Sequence, residues 1–224
     1  MSYIDYLAYT GNTTFYDRFD GDLTSEHRIK CIINGCLINI MFSIRTIKEF
    51  PEEIKICQAA VSKFLTCGYV NDYLIEKYPP FYLWHKRFCD YDIYKMLMEK
   101  HPKLNYTVAK AAIMQRYNDL YFSFDFQPEE ELIMTAALTE NTEIYEDQIN
   151  KAKKLGYCYS YLDYDNYCIK EEPGIEEIPD IEPKFNPFYV YVESGSKMED
   201  VEYAVVNLVE EFKYLQMVYD MSKI

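Results

Sequence analysis

The chain has 224 residues, of which 37 are acidic and 23 basic, so its formal net charge is −14. Strong acidity argues against direct binding of nucleic-acid phosphates or of an anionic membrane surface, since both need clustered Lys and Arg. The apolar share of 49% is too high for a disordered chain. We therefore expect a folded protein with its own core and with neither nucleic acid nor membrane as its direct partner.

In chain order, residues 1–24 are rich in Tyr, Gly, Asp and Thr and predict an irregular N-terminal segment. Thr24 or Ser25 is placed to cap a helix that runs to about Phe50. Pro51 suits the first turn of a further helix, where the missing N–H costs nothing. Residues 25–157 predict one helical core.

Helix breakers divide the rest of this predicted core into segments of ordinary helix length. The breakers are Pro79-Pro80, Pro102, Pro128 and Gly156. Short segments that start with an acid recur between them, at Asp92-Ile93-Tyr94, Asp119-Leu120-Tyr121 and Glu143-Ile144-Tyr145. Alanine pairs precede such segments, at Ala59-Ala60, Ala111-Ala112 and Ala136-Ala137. The pattern predicts helical hairpins, in which small residues admit a second helix that begins with the acid.

These segments resemble ankyrin-type repeats over about residues 27–157. The resemblance rests on Ala136–Ile144 and Asp92–Lys100. It rests also on Leu83-Trp84-His85, which is similar to the family's Leu-His pair with one residue inserted. The Thr-Pro-Leu-His motif that begins an ankyrin repeat is absent. The acid-led segments at Asp92, Asp119 and Glu143 are also spaced more closely than the family's repeat length of roughly 33 residues. The resemblance implies a mainly α protein of stacked helical hairpins, either ankyrin-like or an irregular α-solenoid.

The C-terminal third differs from the rest in charge, because residues 158–224 hold 15 acids and 5 bases. Residues 158–187 predict an acidic connector rich in Tyr and Pro. The run Phe188–Val192 is typical of a strand. Apolar residues at three- and four-residue spacing predict an amphipathic helix from Glu199 to Met221. We expect residues 188–224 to form a small strand-plus-helix segment packed on the core.

His85 and Cys89 stand four residues apart and are weak candidates for a catalytic Cys–His pair. A structural zinc site needs four ligands, and we expect no bound metal and no cofactor. The seven cysteines include no C-x-x-C pair. Because the N-terminus lacks the features of a signal peptide, we expect free thiols and a cytoplasmic location, in the host cytosol for a viral or pathogen protein.

Tyrosines and acids that alternate along the connector predict a surface for a basic protein rich in Arg, through charge and cation–π contacts. The candidate partner-binding residues are Tyr159, Tyr161, Asp163, Tyr164, Asp165, Tyr167, Glu171, Glu172, Glu176, Glu177, Asp180 and Glu182.

The sequence thus favours a protein–protein interaction module, such as a small acidic inhibitor or adaptor of phage, viral or pathogen origin. Its partner would be a basic, nucleic-acid-binding protein whose phosphate site the carboxylates imitate. Two alternatives stay open, which are an enzyme with a site around His85 and Cys89 and a self-assembling structural subunit, for instance a homodimer.

Overall fold

The computed structural model describes residues 2–19, 21, 23–81, 83, 88–155, 159–163 and 168–172, and within them the protein is mainly helical, as predicted. The chain forms two compact units. Described residues up to Ile93 belong to the first unit, and those from Tyr94 to the second. Apolar residues cluster around Ile40 and Phe64 in the first unit and around Ile113 and Tyr121 in the second. The prediction of one helical core over residues 25–157 stays a prediction.

The first unit contains helices α1 (Tyr3–Tyr9), α2 (Phe15–Arg18), α3 (Glu26–Ile38), α4 (Ile40–Glu49), α5 (Ile54–Thr66) and α6 (Asp72–Lys77). Helices α1 and α2 lie in the segment predicted to be irregular, and that prediction is wrong. Ser2 and Asp5 form a capping box that starts α1, and Leu7, Ala8 and Phe15 are buried. These helices are too short for their periodicity to stand out in the sequence.

Ser25 caps α3 by accepting a hydrogen bond from the Arg28 N–H, as predicted. The predicted single helix to Phe50 is instead two helices that break at Asn39. The Asn39 side chain accepts from the N–H groups of Met41 and Phe42 and so starts α4. Its amide also donates to the Gly11 carbonyl at 3.1 Å, which ties the break to the turn after α1.

Gly35 sets how closely α1 and α3 approach each other. A Cβ atom at this position would lie 2.1 Å from the Ala8 carbonyl oxygen, so only glycine fits. Helix α5 packs against both α3 and α4 and is buried along nearly its whole length. It begins at Ile54 rather than at Pro51, with Glu53 at the N-cap position.

The division between the units crosses α7 (Tyr91–Lys100). The second unit continues with a 3₁₀ turn (Pro102–Leu104), α8 (Asn105–Gln115), α9 (Asn118–Phe122), α10 (Glu130–Leu138) and α11 (Thr142–Leu155). Helix α8 packs on α9, α10 packs on α11, and α8 contacts α10. The alanine pairs of α8 and α10 are buried, which is where the hairpin pattern places them.

Four helices, α1, α5, α8 and α10, end in the same Schellman turn. The left-handed residues are Gly11, Gly68, Arg116 and Glu140. In the last turn, for example, the N–H of Asn141 donates to Ala136 and that of Glu140 donates to Ala137. Glycine usually fills this position because a side chain is strained there. Arg116 and Glu140 adopt it nonetheless, so the surrounding contacts hold the turn.

Helices α6, α7, α9 and α11 begin with a common order of exposure. The second residue is exposed, whereas the third and fourth are buried or half-buried. The second residues are Tyr73, Asp92, Asp119 and Glu143; the third are Leu74, Ile93, Leu120 and Ile144; the fourth are Ile75, Tyr94, Tyr121 and Tyr145. The segments singled out in the sequence therefore begin helices, as predicted.

Two antiparallel strands, β1 (Tyr159–Asp163) and β2 (Cys168–Glu172), lie within the predicted connector, with β1 alongside α10. The predicted strand Phe188–Val192 and the predicted helix to Met221 lie outside the described residues. Among the helices that the structure describes, none is long and apolar enough to cross a bilayer.

Candidate functional site

His85 lies outside the described residues, so the predicted pair of His85 and Cys89 stays a prediction. Cys89 is buried and forms no disulfide. The structure shows a different Cys–His contact on α3, where His27 Nε2 lies 3.6 Å from Cys31 Sγ. Sequence reasoning passed over this pair, although its four-residue spacing on a predicted helix was the available signal.

The environment of Cys31 does not favour a nucleophile. Burial raises the pKa of the Cys31 thiol to about 11, with a further contribution from the carboxylate of Asp5. A nucleophilic cysteine needs the opposite shift, since the thiolate is the reactive form. Burial also raises the pKa of Cys36 to about 12 and that of Cys57 to about 11. These thiols are protonated at neutral pH and fill the core of the first unit.

The described residues contain no group of three or more His, Cys, Asp or Glu side chains placed to hold a metal ion. The Asp5 carboxylate pairs instead with Arg28, at 3.1 Å from its Nε. The Ser2 hydroxyl and Arg28 bind the Asp5 carboxylate and hold its pKa below the usual value. This ion pair joins the starts of α1 and α3.

The predicted partner-binding residues fall partly on the two strands. Residues 159, 161 and 163 lie in β1 and residues 171 and 172 in β2, and the register pairs Tyr159 with Glu172 and Asp163 with Cys168. The other members, Tyr164, Asp165, Tyr167, Glu176, Glu177, Asp180 and Glu182, lie outside the described residues.

A second acidic region lies in the helices of the second unit. Between Arg116 and Lys151 the sequence has no Lys or Arg and nine acids. The acids are Asp119, Asp125, Glu129, Glu130, Glu131, Glu140, Glu143, Glu146 and Asp147. Where the structure describes these side chains, five of the acids are exposed, Asp119, Asp125, Glu140, Glu143 and Glu146. We call four of them, Asp119, Glu140, Glu143 and Glu146, the acidic helical face. Averaging the charge over residues 1–157 hid this stretch in the sequence.

Side-chain bonds fix α9 alongside α11. Asn118 donates to the Glu143 carboxylate at 2.6 Å, and the Tyr121 hydroxyl donates to Asp147 at 3.0 Å. The buried Gln148 donates to the Tyr121 hydroxyl and accepts from the Glu129 N–H at 2.9 Å. Burial raises the pKa of Tyr121, so its hydroxyl remains a donor at neutral pH.

Further along, Lys151 lies between two carboxylates, with its Nζ 3.1 Å from both Asp125 and Asp147. Burial lowers the pKa of Lys151, but its bonds to the two carboxylates outweigh burial, and the pKa is raised overall. The side chain therefore stays cationic. The surface between α9 and α11 thus already holds one positive group between its acids.

Helices α8 and α10 are joined in a similar way. The buried Lys110 on α8 pairs with Glu131 on α10. Burial lowers the pKa of Lys110, although the Glu131 carboxylate opposes that shift. At the turns, the Asn141 amide donates to the Ile113 carbonyl at 3.2 Å and to Asn118 at 2.8 Å. Side-chain bonds therefore join α8 to α10 and α9 to α11.

Comparison with known protein families finds two domain models that match this chain. Residues 2–81 match the model of the YKP1 N-terminal domain, and residues 84–189 match that of the YKP1 C-terminal domain. Both YKP1 domains are matched, in order, on this chain. The junction between the two matches falls shortly before the division into two units at Ile93.

The chain is also similar to the RF4 protein of the yeast Kluyveromyces lactis, with 29% identity over 131 residues. The match covers 58% of this chain and 29% of that protein, so it spans less than a third of the relative's length. No solved structure matches the chain. These matches do not bear on the resemblance to ankyrin repeats or on a phage, viral or pathogen origin, which stay predictions.

Proposed function

We propose that this protein is a protein–protein interaction module that binds a basic partner through the acidic helical face of its second unit. The observation that carries the proposal is the run between Arg116 and Lys151, residues 117–150, which contains nine acids and no Lys or Arg. Most aliphatic residues of the run, such as Leu120, Leu132 and Ile144, are buried. Asp119, Glu140, Glu143 and Glu146 are exposed. A one-sign surface of this kind attracts an oppositely charged partner and speeds its association.

The scaffold for this face is, in our proposal, a stack of two helical hairpins, α8–α9 and α10–α11, as the resemblance to ankyrin repeats implies. Three features support it. Equivalent turns end α8 and α10, the first helices are paired through Lys110 and Glu131, and the second helices are paired through Tyr121 and Asp147. Hairpins that stack in this way present their second helices as one continuous surface.

The acids and tyrosines of residues 159–182 remain a second part of the proposed surface. The alternatives predicted from the sequence, an enzyme with a Cys/His site and a self-assembling subunit, gain no specific support from the described residues. The raised thiol pKa of Cys31 counts against the pair that the structure does show.

The test is capture from yeast lysate by the full chain, at low and at high salt, with the bound proteins identified by mass spectrometry. The face variant is Glu140→Gln/Glu143→Gln/Glu146→Gln. The matched control is Glu52→Gln/Glu76→Gln/Glu99→Gln, which removes three exposed carboxylates elsewhere. We expect the native chain and the control to retain the same basic proteins, and the face variant to lose them. High salt screens the attraction and should release them as well.

Retention of the same proteins by all three chains at both salt concentrations would overturn the proposal. A parallel variant with Glu176, Glu177, Asp180 and Glu182 changed to their amides measures the C-terminal part separately. Loss of binding in that variant alone would move the interface to the acidic stretch predicted from the sequence.

A further inference from the structure

An aromatic segment begins at the last residue of α9 and continues beyond the helix. In Phe122–Phe126 every second residue is a phenylalanine, and Phe122 is 43% exposed. Phe124 and Phe126 are half-buried. The Phe126 ring stacks on the Tyr121 ring with centroids 5.2 Å apart, which holds the segment against the core. We call Phe122–Phe126 the aromatic segment.

Carboxylates lie on both sides of this segment. Asp119 precedes Phe122 by one helical turn and is exposed, and Asp125 lies within the segment and is exposed too. The bonds from Tyr121 to Asp147 and from Asp125 to Lys151 place α11 alongside. Aromatic rings and carboxylates therefore share one surface, on which Lys151 already shows that the acids hold a cation.

This combination selects among charged groups. A guanidinium stacks its flat face on an aromatic ring and binds a carboxylate with a fork of N–H groups, whereas an ammonium is a strongly hydrated point charge. The first unit contains such an arrangement. Arg45 lies over the Tyr16 ring, 4.7 Å from its centroid, and pairs with Asp17 at 2.8 Å.

We infer that the aromatic segment binds an arginine-bearing segment of a basic protein, with a guanidinium stacked on Phe122 and paired with a neighbouring carboxylate. This inference rests on the acidic face proposed above and names the chemistry of its partner. A second copy of the chain is a poor occupant, because it would bring its own acidic face against this one. Nucleic acid is repelled for the same reason.

The experiment measures binding of fluorescein-labelled nona-arginine and nona-lysine to the full chain by fluorescence anisotropy. The two probes carry equal charge, so their ratio of affinities reports guanidinium recognition alone. We expect the native chain to bind nona-arginine about 3-fold more tightly or better, as an exposed cation–π contact is worth roughly 0.5–1 kcal/mol. Phe122→Ala should reduce the ratio to near one without changing the affinity for nona-lysine, and Phe122→Tyr should preserve it.

Met134→Ala is the matched control, since Met134 is a similarly exposed apolar side chain of the same unit. It should leave both affinities unchanged. An arginine preference that survives Phe122→Ala, or that is missing from the native chain, would overturn the inference. The proposed function would still hold if the face variant with Glu140, Glu143 and Glu146 neutralised weakened both probes. If the face variant bound each probe as tightly as the native chain does, the proposed function would be overturned instead.

Discussion

The two units of this chain hold their helices together by different means. In the first unit, backbones touch at Gly35, in addition to the Asp5–Arg28 ion pair between α1 and α3. The side chains of Asn34 on α3 and Asn39 just before α4 donate to backbone carbonyls near the turn after α1. In the second unit, long polar side chains bridge neighbouring helices, as in the pairs Lys110–Glu131 and Tyr121–Asp147. Close backbone contact leaves little tolerance for added atoms, whereas bridging side chains depend on each partner remaining polar.

The largest expected effect tests the close contact in the first unit. Gly35→Ala would place a Cβ atom 2.1 Å from the Ala8 carbonyl oxygen, so α1 must move away from α3. We expect a loss of about 3 kcal/mol or more in the free energy of unfolding, measured by urea denaturation. Gly68→Ala is the control, because nothing lies within 4 Å and only its left-handed φ of +84° opposes alanine. It should cost about 1 kcal/mol, and equal losses in the two variants would contradict the close contact.

The second prediction concerns the bridging side chains of the second unit. Gln148→Leu removes the buried amide that accepts from the Glu129 N–H and donates to the Tyr121 hydroxyl. The Glu129 N–H and the Tyr121 hydroxyl would then lose their bonds to the Gln148 amide. This loss should lower the free energy of unfolding by about 2 kcal/mol. Glu146→Gln, an exposed change on the same helix, should stay within about 0.5 kcal/mol. If both variants unfolded at the same urea concentration as the native chain, the amide would not stabilise the unit.

The two units should also differ in how their stability depends on pH. Burial raises the thiol pKa of Cys36 to about 12, above its ordinary value of 9.0. Above pH 9 the unfolded chain therefore releases thiol protons that the folded chain keeps, and stability falls as the pH rises. Cys31 and Cys57 act in the same direction. We expect a loss of about 2 kcal/mol between pH 8 and pH 10, measured under reducing conditions.

Lys110 in the second unit acts in the opposite direction. Burial lowers its pKa, so near pH 10 the unfolded chain binds the proton that the folded chain gives up, and this contribution to stability grows with pH. Cys36→Ala should therefore flatten the alkaline decline, and Lys110→Met should steepen it. A decline that neither variant alters would show that these groups do not set the pH dependence.

Local signals in the sequence were reliable where one residue suffices to place a helix end. Ser25 caps α3, and the acid-led segments at Asp92, Asp119 and Glu143 begin helices. The same reasoning failed at Asn39, where an internal cap splits one predicted helix into two. It also failed for α1, because a helix this short carries too few apolar residues to show a period.

The candidate site was predicted only in its chemistry. An acidic, aromatic surface for a basic partner was predicted for residues 159–182, whereas the acids and aromatic residues on which our proposal rests lie on and near α9 and α11. The nine acids before Lys151 are visible in the sequence, but their exposure is not. Which carboxylates face solvent depends on how α9 and α11 pack, and hence on bonds such as the one between Asn118 and Glu143.

By itself, the sequence determined the helical class, the acidity and some helix starts, such as those at Ser25, Asp119 and Glu143, because each depends on composition or on residues within one turn of each other. Only the tertiary structure decided the division at Ile93 and the left-handed turns at Arg116 and Glu140. The turns illustrate the reason. Strain at a left-handed residue is local, but the bonds that offset it, such as Arg116 Nη2 to the Thr139 carbonyl, join residues of separate hairpins.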